Sequence, residues 1–490
     1  MADQPSPQDL ARMGKDLILE QALVDGRWVG GTGEPIAVDN PADGDILGHV
    51  PSLSEEAVEQ AIAGAARTFP DWAGRKGQDR GAILFRWAAL VEAHEEALAA
   101  LIALENGKPW KEALGEVRYA NSFISWFAGL AGRLDGRTIE SPKDEDLILS
   151  FREPVGPVAA ITPWNFPAAM ITRKAAAAFC AGCTVVLKPA SATPFTALAL
   201  AKLALEAGVP EGVFSVVTGA NSEIGARLTG SPLIRKLSFT GSTEVGCKLA
   251  ADCAPTLKRL SMELGGAAPL IVFEDADLDA AVEGAVAGKF RAAGQTCVCP
   301  NRLYVQAPVL DAFLERLSAR VSALKVGHPL EAGVEIGPLI NAKALDKVED
   351  HIARTTASGG RVLTGGDRHA LGGRYFQPTV LEGGDDRLFA EEETFGPVAP
   401  VFGFATEEEA LSRANASDFG LAAYLFTRDQ ARAMRVGRGL EAGIIGVNTG
   451  LVSTAANPFG GVKQSGYGRE GSVYGVDDYL QIKSLTLALG

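Results

Sequence analysis

The middle of the chain alternates short apolar runs with segments in which apolar residues recur every three or four positions. Apolar runs typical of buried parallel strands lie at 158–161, 183–187, 213–218, 234–239 and 256–263. Helical periodicity marks the intervening segments 168–181, 196–207, 222–228 and 244–251. This alternation predicts an open α/β sheet, mostly parallel, with helices on both faces and a ligand site at the carboxyl ends of its strands.

A second α/β series follows Gly265 and runs to about residue 450. Its first elements are predicted to be a strand at 270–273, a helix at 278–293, a strand at 303–306 and a helix at 309–324. Before both series, residues 1–50 predict an irregular arm with short strands, and helices are predicted from Ser54 to about residue 130.

Residues 133–152 have a different pattern, which predicts a hairpin with strands at 138–139 and 147–151. The terminal stretch 480–489 alternates like another strand and could join the edge of a sheet. Since a long exposed hairpin is unstable alone, we expect it to pack on another subunit or domain.

Composition narrows the classes of function. Charged residues make up 22% and hydrophobic residues 47%, as in a soluble globular protein, and the net charge is −14. Such an acidic chain is repelled by nucleic acid and by anionic membranes. We see no signal peptide and no apolar run long enough to span a bilayer. With 6 cysteines in 490 residues, we expect a reducing compartment, by default the cytoplasm.

Two of these cysteines, Cys297 and Cys299, lie in the stretch FRAAGQTCVCPNR at 290–302. Nearby positive charge or oriented amides would lower a thiol's pKa and make it a nucleophile. The alternative is a small apolar residue that packs at a helix end. Spacing alone leaves a Cys–His hydrolase open. The 5 histidines are dispersed, so we expect no metal site.

Polar side chains follow several predicted strands. Asn165, in PWNFP, could donate a hydrogen bond to a developing oxyanion. Lys188 brings a cation to the ligand edge, and Glu263 could be a general base with a raised pKa. The glycine-rich turn 241–246 opens a helix whose free N–H groups suit a phosphate. Taken singly, each of these three side chains is more often structural than functional, and an ordinary glycine-rich turn explains 241–246 equally well.

Together these motifs resemble the NAD(P)-dependent aldehyde dehydrogenase superfamily over nearly the whole chain. They occur in family order: PWNFP at 163–167, KPA at 188–190, FTGST at 239–243, MELGG at 262–266, GQTC at 294–297, EETFGP at 392–397 and NPFGGVKQSG at 457–466. The resemblance implies a Rossmann-type cofactor domain, an α/β catalytic domain and a small β-hairpin oligomerisation element. These would comprise residues 1–132 with 153–264, residues 265–476, and residues 133–152 with 477–490.

The family pattern also implies roles for residues. Cys297 would attack the aldehyde carbon, while Asn165 and the Cys297 N–H stabilise the oxyanion. Hydride transfer to the nicotinamide would leave a thioester, which water activated by Glu263 hydrolyses. The implied cofactor-binding residues are Thr162, Pro163, Trp164, Lys188, Ser191, Gly225, Thr240, Gly241, Ser242, Leu264, Glu393 and Phe395. Ser191 replaces a glutamate of many NAD-preferring relatives and tolerates a 2′-phosphate, so we expect NADP to be preferred, with NAD as the alternative and no metal.

Within the superfamily, the residues in and around these motifs are similar to those of succinate-semialdehyde dehydrogenases, which act in GABA degradation. That group binds the distal carboxylate with residues that correspond to Arg173, Arg291 and Ser453, and Phe166 and Phe459 complete the implied substrate site. An acidic protein that takes an anionic aldehyde needs such cations, because arginine binds carboxylates bidentately. Each arginine could instead form a structural ion pair.

Several alternatives stay open at this stage. Glutarate semialdehyde is one methylene longer than succinate semialdehyde, and a pocket separates such homologues only weakly. A non-catalytic relative and a CoA-acylating enzyme are disfavoured by the retained Cys297 and Glu263. The resemblance gives Cys299 as a possible redox partner of Cys297, the alternative being an inert buried thiol. It also implies a homo-oligomer, either a dimer or a tetramer.

Overall fold

The computed structural model describes residues 4–489. The helices are α1 Pro7–Lys15, α2 Glu55–Ala73, α3 Gly77–Ala93, α4 Glu95–Asn106, α5 Trp110–Leu130, α6 Ala169–Ala181, α7 Phe195–Glu206, α8 Asn221–Gly230, α9 Thr243–Cys253, α10 Leu278–Lys289, α11 Leu310–Ser322, α12 Ala342–Ala357, α13 Arg387–Glu391, α14 Glu407–Asn415 and α15 Gln430–Gly439. None of these helices combines the length and the apolar character that crossing a bilayer requires.

The strands form two large sheets and three small ones. They are β1 Ala22–Val24, β2 Arg27–Val29, β3 Ile36–Asp39, β4 Ile46–Val50, β5 Arg137–Ile139, β6 Asp146–Pro154, β7 Val158–Ile161, β8 Val185–Lys188, β9 Phe214–Val216, β10 Lys236–Thr240, β11 Arg259–Glu263, β12 Ala268–Val272, β13 Pro300–Gln306, β14 Arg361–Thr364, β15 Thr379–Glu382, β16 Val398–Phe404, β17 Phe419–Gly420, β18 Ala422–Phe426, β19 Ile444–Val447, β20 Val462–Lys463, β21 Gly466–Tyr467 and β22 Leu480–Ala488.

The first large sheet has the order β2-β1-β9-β8-β7-β10-β11-β21. Its central strands β9, β8, β7, β10 and β11 are all parallel. They are short and almost wholly buried, as expected for strands covered by helices on both faces. The predicted doubly wound α/β fold is therefore confirmed, with the carboxyl ends of β7, β8, β10 and β11 at one edge.

The second large sheet has the order β14-β15-β16-β13-β12-β18-β19 and is parallel except for β14. Its buried side chains make a separate apolar core that includes the β12, β13 and β18 residues. The short strand β21, from the predicted catalytic segment, returns to pair with β11 of the first sheet. The domain boundaries given above stay a prediction.

The predicted hairpin is present as β5 and β6, and β22 pairs with β6 along its full length. The terminal strand thus completes a three-stranded antiparallel sheet with its own chain. This sheet leaves large apolar side chains exposed, among them Ile139, Phe151, Leu485 and Ile482, the last 78% accessible. Phe151 and Leu485 lie on one face of this sheet and Ile139 and Ile482 on the other, because successive β6–β22 pairs alternate between the two faces. Exposed apolar side chains of this kind mark an interaction surface.

Two sequence predictions were wrong in detail. The arm before residue 50 contains the helix α1, whose start is capped by Ser6 through a hydrogen bond from the Asp9 N–H. The helix predicted at 278–293 ends at Lys289. Beyond it Ala292 and Ala293 adopt left-handed backbone angles, with φ of 50° and 55°. Long-range hydrogen bonds produce this turn, which local periodicity cannot reveal.

Candidate active site

A cavity of 260 Å³ lies at the carboxyl edge of the first sheet, where it faces the second. Eleven of the residues that the sequence singles out line it together: Pro163, Trp164, Asn165, Phe166, Thr240, Gly241, Ser242, Leu264, Cys297, Glu393 and Phe395. They come from segments up to about 230 residues apart, which the parallel strand order brings to one edge. The structure thus brings these residues together at the strand ends, where the sequence predicted a ligand site; their roles stay a prediction.

Cys297 is partly exposed in this cavity and carries a free thiol. It follows the left-handed turn at Ala292, whose N–H donates to the Glu112 carboxylate at 2.8 Å. Burial raises the pKa of Cys297 to about 12, helped by the Glu393 carboxylate and opposed by the Arg173 guanidinium. In this arrangement burial thus outweighs the lowering of the pKa that nearby positive charge gives.

Glu263 ends β11 and is only 2% exposed. Among the described residues, neither carboxylate oxygen has a hydrogen-bond partner. Burial, together with the neighbouring Glu470 carboxylate, raises its pKa well above the ordinary value. Arg173 and Lys174 only partly oppose this. A carboxyl group with a raised pKa and free oxygens can accept a proton near neutral pH.

Asn165 lies in the loop between β7 and α6 and is buried. Its Nδ2 donates to the backbone carbonyl of Gln295 at 3.0 Å, two residues before Cys297. The amide therefore lies beside the cysteine loop. In this position it can turn from the carbonyl to a charge that develops near the Cys297 sulfur.

In the turn between β10 and α9 the backbone lies close against the Phe239 side chain. Ser242 caps α9 and accepts a hydrogen bond from the Val245 N–H. A Cβ on Gly241 would lie 2.4 Å from the Phe239 ring, so a larger residue would force the turn open. The exposed N–H groups at such a helix start favour a phosphate.

Lys188 ends β8 and is buried. Its Nζ donates to Asn221 Oδ1 at 2.6 Å and to Ser191 Oγ at 3.4 Å. Burial lowers its pKa to about 8. Thr162 is next to it, since its N–H donates to the Lys188 carbonyl at 3.2 Å. Gly225 lies farther along, in α8 facing α9.

Glu393 and Phe395 close the cavity from the second sheet. Burial raises the pKa of Glu393 to about 8, and Lys347 opposes this. Phe395 has φ of 52° and packs edge-on against Trp164, with ring centroids 5.5 Å apart. Lys347 of α12 also lines the cavity. The sequence gives no signal for Lys347, because this residue lies on an amphipathic surface helix with no motif around it.

Arg173 is buried in α6 and is 1% exposed. It forms an ion pair with Glu470 at 3.2 Å and donates to Tyr119 Oη at 2.6 Å. Its guanidinium stacks on the Phe459 ring at 4.1 Å. Part of its bonding is thus structural, yet its buried Nε–H has no partner among the described residues.

Arg291 lies in the left-handed turn, with its guanidinium 5.4 Å from the Phe166 ring. It lines a second cavity of 500 Å³ together with Glu112, Arg320 and Leu451. Its Nε–H is also buried and unpartnered among residues 4–489. Ser453 lies on the segment between Leu451 and Phe459, partly exposed.

Cys299 is buried and carries a free thiol. Burial raises its pKa, against the effect of Lys289. Its Sγ is 3.6 Å from the Lys289 carbonyl. Neither this environment nor the free Cys297 thiol tests the redox hypothesis, which stays a prediction.

Comparison with known proteins agrees with this geometry. Residues 28–485 match the aldehyde dehydrogenase family. The chain is 54% identical to a succinate-semialdehyde dehydrogenase (NADP(+)) of Escherichia coli (strain K12), over 97% of this chain and 99% of that protein. It is 53% identical to a glutarate-semialdehyde dehydrogenase of Pseudomonas aeruginosa, over 96% of this chain and 98% of that protein.

The fold is likewise that of solved members. The crystal structure of an aldehyde dehydrogenase from Brucella melitensis biovar abortus 2308 superimposes with a TM-score of 0.96. That protein is 53% identical to this chain, and the match covers 97% of this chain and 98% of the other. The full-length similarity to these proteins shows that the chain is an oxidoreductase that belongs to the aldehyde dehydrogenase family.

Proposed function

We propose that this enzyme oxidises succinate semialdehyde to succinate, with NADP as the preferred cofactor. The observation that carries the proposal is the pair of arginines next to the cysteine cavity. The Nε–H of Arg173 and that of Arg291 are both buried and unpartnered within the described residues. A buried donor without a partner costs free energy, and the far carboxylate of an ω-carboxy aldehyde would satisfy both.

The chemistry follows from the groups around the cavity. The Cys297 thiol gives its proton to solvent water, and its sulfur forms a bond to the aldehyde carbon. Asn165 and the Cys297 N–H donate to the resulting oxyanion. The bound cofactor supplies a hydride acceptor at the nicotinamide C4. As the hydride leaves, the carbonyl re-forms and Cys297 holds the substrate as a thioester.

Glu263 completes the cycle. Its buried carboxylate takes a proton from water, and the hydroxide attacks the thioester carbon. The carbon–sulfur bond breaks and the dicarboxylate leaves. The Cys297 thiolate then takes the proton that Glu263 removed from water, which restores both groups. Because its oxygens are free of protein hydrogen bonds within the described residues, Glu263 can approach the water without first losing another partner.

The residues present fit a nicotinamide dinucleotide. The Gly241 N–H donates to the Glu263 carbonyl at 3.1 Å, so Gly241 would leave room for the pyrophosphate while Ser242 and the first turn of α9 would offer it N–H groups. Lys188 and Glu393 would lie at the two ribose positions. The Lys188 ammonium, beside Ser191 rather than a carboxylate, favours a 2′-phosphate and hence NADP. The E. coli relative is named for NADP(+), which agrees with this preference.

Glutarate semialdehyde is the second candidate, since a 53% identical relative is named for it. One methylene changes binding by about 1–3 kcal/mol in an apolar pocket, so both aldehydes can react at different rates. The arginine pair would hold either carboxylate.

The exposed apolar side chains of the β5–β6–β22 sheet support a homo-oligomer, a dimer or tetramer, in which another copy covers them. All 6 cysteines lie among the described residues as free thiols. This fits a reducing compartment, and we place the enzyme in the cytoplasm.

A substrate panel tests the proposal. Formation of reduced cofactor is followed at 340 nm with C3–C6 ω-carboxy aldehydes and with neutral aldehydes of equal length, each with NADP and with NAD. The expected result is the highest kcat/KM for succinate semialdehyde with NADP. A neutral aldehyde that reacts as well as its carboxylate partner would refute the carboxylate site.

A further inference from the structure

The connection between α4 and α5 runs beneath the loop that carries Asn165. Asn106 Nδ2 donates to the Trp164 carbonyl at 2.9 Å. Lys108 Nζ donates to the Asn165 carbonyl at 2.7 Å. Two consecutive backbone carbonyls of the loop are thus held by side chains that are about 58 residues away in sequence.

Lys108 also forms a buried ion pair with Glu116 of α5. The other oxygen of Glu116 accepts the N–H groups of Ala168 and Ala169, at 2.9 and 3.3 Å, at the start of α6. The Lys108 and Glu116 side chains are only 2% and 1% exposed. The pair therefore fixes both ends of the 165–168 segment.

The Lys108 Nζ also makes a cation–π contact with the Phe166 ring, 4.1 Å from the ring centroid. The whole segment from Trp164 to Ala169 is thereby fixed from one side. On the other side, the Asn165 amide contacts the cysteine loop through the Gln295 carbonyl. Asn165 is the point where these two sets of bonds meet.

Stability alone does not account for this arrangement. Burying two charges costs about as much as their attraction returns, and apolar side chains of similar volume often stabilise a fold equally well. The charges instead constrain geometry, because the charge-assisted hydrogen bond from Lys108 fixes the position of the Asn165 carbonyl more tightly than apolar packing would.

We propose that Lys108 and Glu116 are positioning residues that set the Asn165 amide at the distance an oxyanion requires. This inference rests on the proposed role of Asn165. Donors in such sites act within about 2.7–3.1 Å of the oxyanion, and a displacement of about 1 Å can cost on the order of 10²-fold in rate. The pair acts through Asn165 and does not touch the substrate.

The test uses the full-length Lys108→Met/Glu116→Gln variant. Lys108→Met alone would strand Glu116 as an unpaired buried carboxylate and endanger folding. In the double variant both charges are gone, while the amide oxygen that Glu116→Gln introduces still accepts the Ala168 N–H. The expected result is a thermal midpoint close to that of the wild type, with kcat lower by about 10–100-fold. The KM for NADP should stay within about twofold, since no cofactor contact changes.

Arg361→Met/Glu382→Gln is the matched control, because it removes an exposed ion pair between β14 and β15 that does not contact the Asn165 loop. It should lose less than about threefold in kcat. A folded double variant with the wild-type kcat would overturn the inference, because the tether would then be dispensable for catalysis.

A double-mutant cycle tests the positioning role of Lys108 and Glu116 separately from the oxyanion role of Asn165. In an Asn165→Ala background the Lys108→Met/Glu116→Gln change should cost almost nothing further, because residues that act through one group are not additive. A full second loss would show that the pair does not act through Asn165. An Asn165→Ala enzyme with an unchanged rate would refute the oxyanion role itself, whatever the pair does.

Discussion

Replacement of Glu263 by Gln should separate the two halves of the reaction. Glu263 is buried at the end of β11, and its carboxylate oxygens have no partner in the described residues. Gln has nearly the same shape, so the substitution breaks no protein hydrogen bond. It removes only the capacity to take a proton, which thioester hydrolysis needs and hydride transfer does not.

The size of the effect follows from the role. A positioned general base contributes on the order of 10²–10⁴-fold, which corresponds to about 3–5 kcal/mol of barrier. Burial and Glu470 raise the pKa of Glu263. The ionised carboxylate is therefore disfavoured in the folded protein, and losing it should not lower the thermal midpoint.

The assay is rapid mixing of enzyme and NADP with succinate semialdehyde, followed at 340 nm. The Glu263→Gln enzyme should give a burst of about one reduced cofactor per active site, then a steady rate lower by on the order of 10²–10⁴-fold. Cys297→Ala is the control and should give no burst. A steady rate close to the wild type would refute the role of Glu263 in hydrolysis. No burst from a folded variant would place Glu263 before hydride transfer instead.

Three further measurements test separate parts of the site. Asn165→Ala should lower kcat by on the order of 10²–10³-fold, and an unchanged rate in steady-state assays would contradict the oxyanion role. Lys188 has a pKa lowered to about 8 by burial; its cation is present below that pH and lost above it. The ratio of kcat/KM for NADP to that for NAD should therefore fall by up to about tenfold per pH unit above 8, and Lys188→Met should abolish this trend. If Cys299 is the redox partner of Cys297, peroxide should inactivate the wild-type enzyme and dithiothreitol should restore its activity. In Cys299→Ser, dithiothreitol should not restore the activity lost to peroxide.

The parts of the site at strand ends could be predicted because the chain's local pattern determines them. Asn165, Lys188 and Glu263 each follow a short buried run, and parallel strands bring such positions to one edge. The Gly241 turn was recognisable for the same reason. These residues needed only the order of strands and helices, which periodicity reveals.

Other features depend on contacts between distant segments. The end of α10 at Lys289 is fixed by Glu112, about 180 residues away, which accepts the Ala292 N–H. The lysine Lys347 and the pair of Lys108 and Glu116 lie in or beside helices whose patterns look ordinary. No local signal could show that these side chains reach the site.

The pKa of the Cys297 thiol depends on a balance that the sequence does not give. Arg291, six positions upstream, is a positive charge of the kind that lowers a thiol's pKa. In the fold, burial and Glu393 outweigh the two arginines and raise the pKa to about 12. The net effect of burial and charge requires the three-dimensional arrangement, because composition near a residue does not give its solvent access.

The central claim is that Arg173 and Arg291 recognise the distal carboxylate of the substrate. Arg291→Ala tests it most directly, because Arg173 also maintains the ion pair with Glu470 and its loss would disturb the fold. Arg320→Ala is the matched control, since Arg320 lines the same 500 Å³ cavity but is already paired with Glu283 and Glu335.

The quantity measured is the ratio of kcat/KM for succinate semialdehyde to that for butanal, a neutral aldehyde of the same length. A charge-assisted hydrogen bond contributes about 1.5–3 kcal/mol, so this ratio should fall by about 10–150-fold in Arg291→Ala and stay unchanged in Arg320→Ala. Equal losses for both aldehydes in Arg291→Ala would contradict carboxylate recognition at this site.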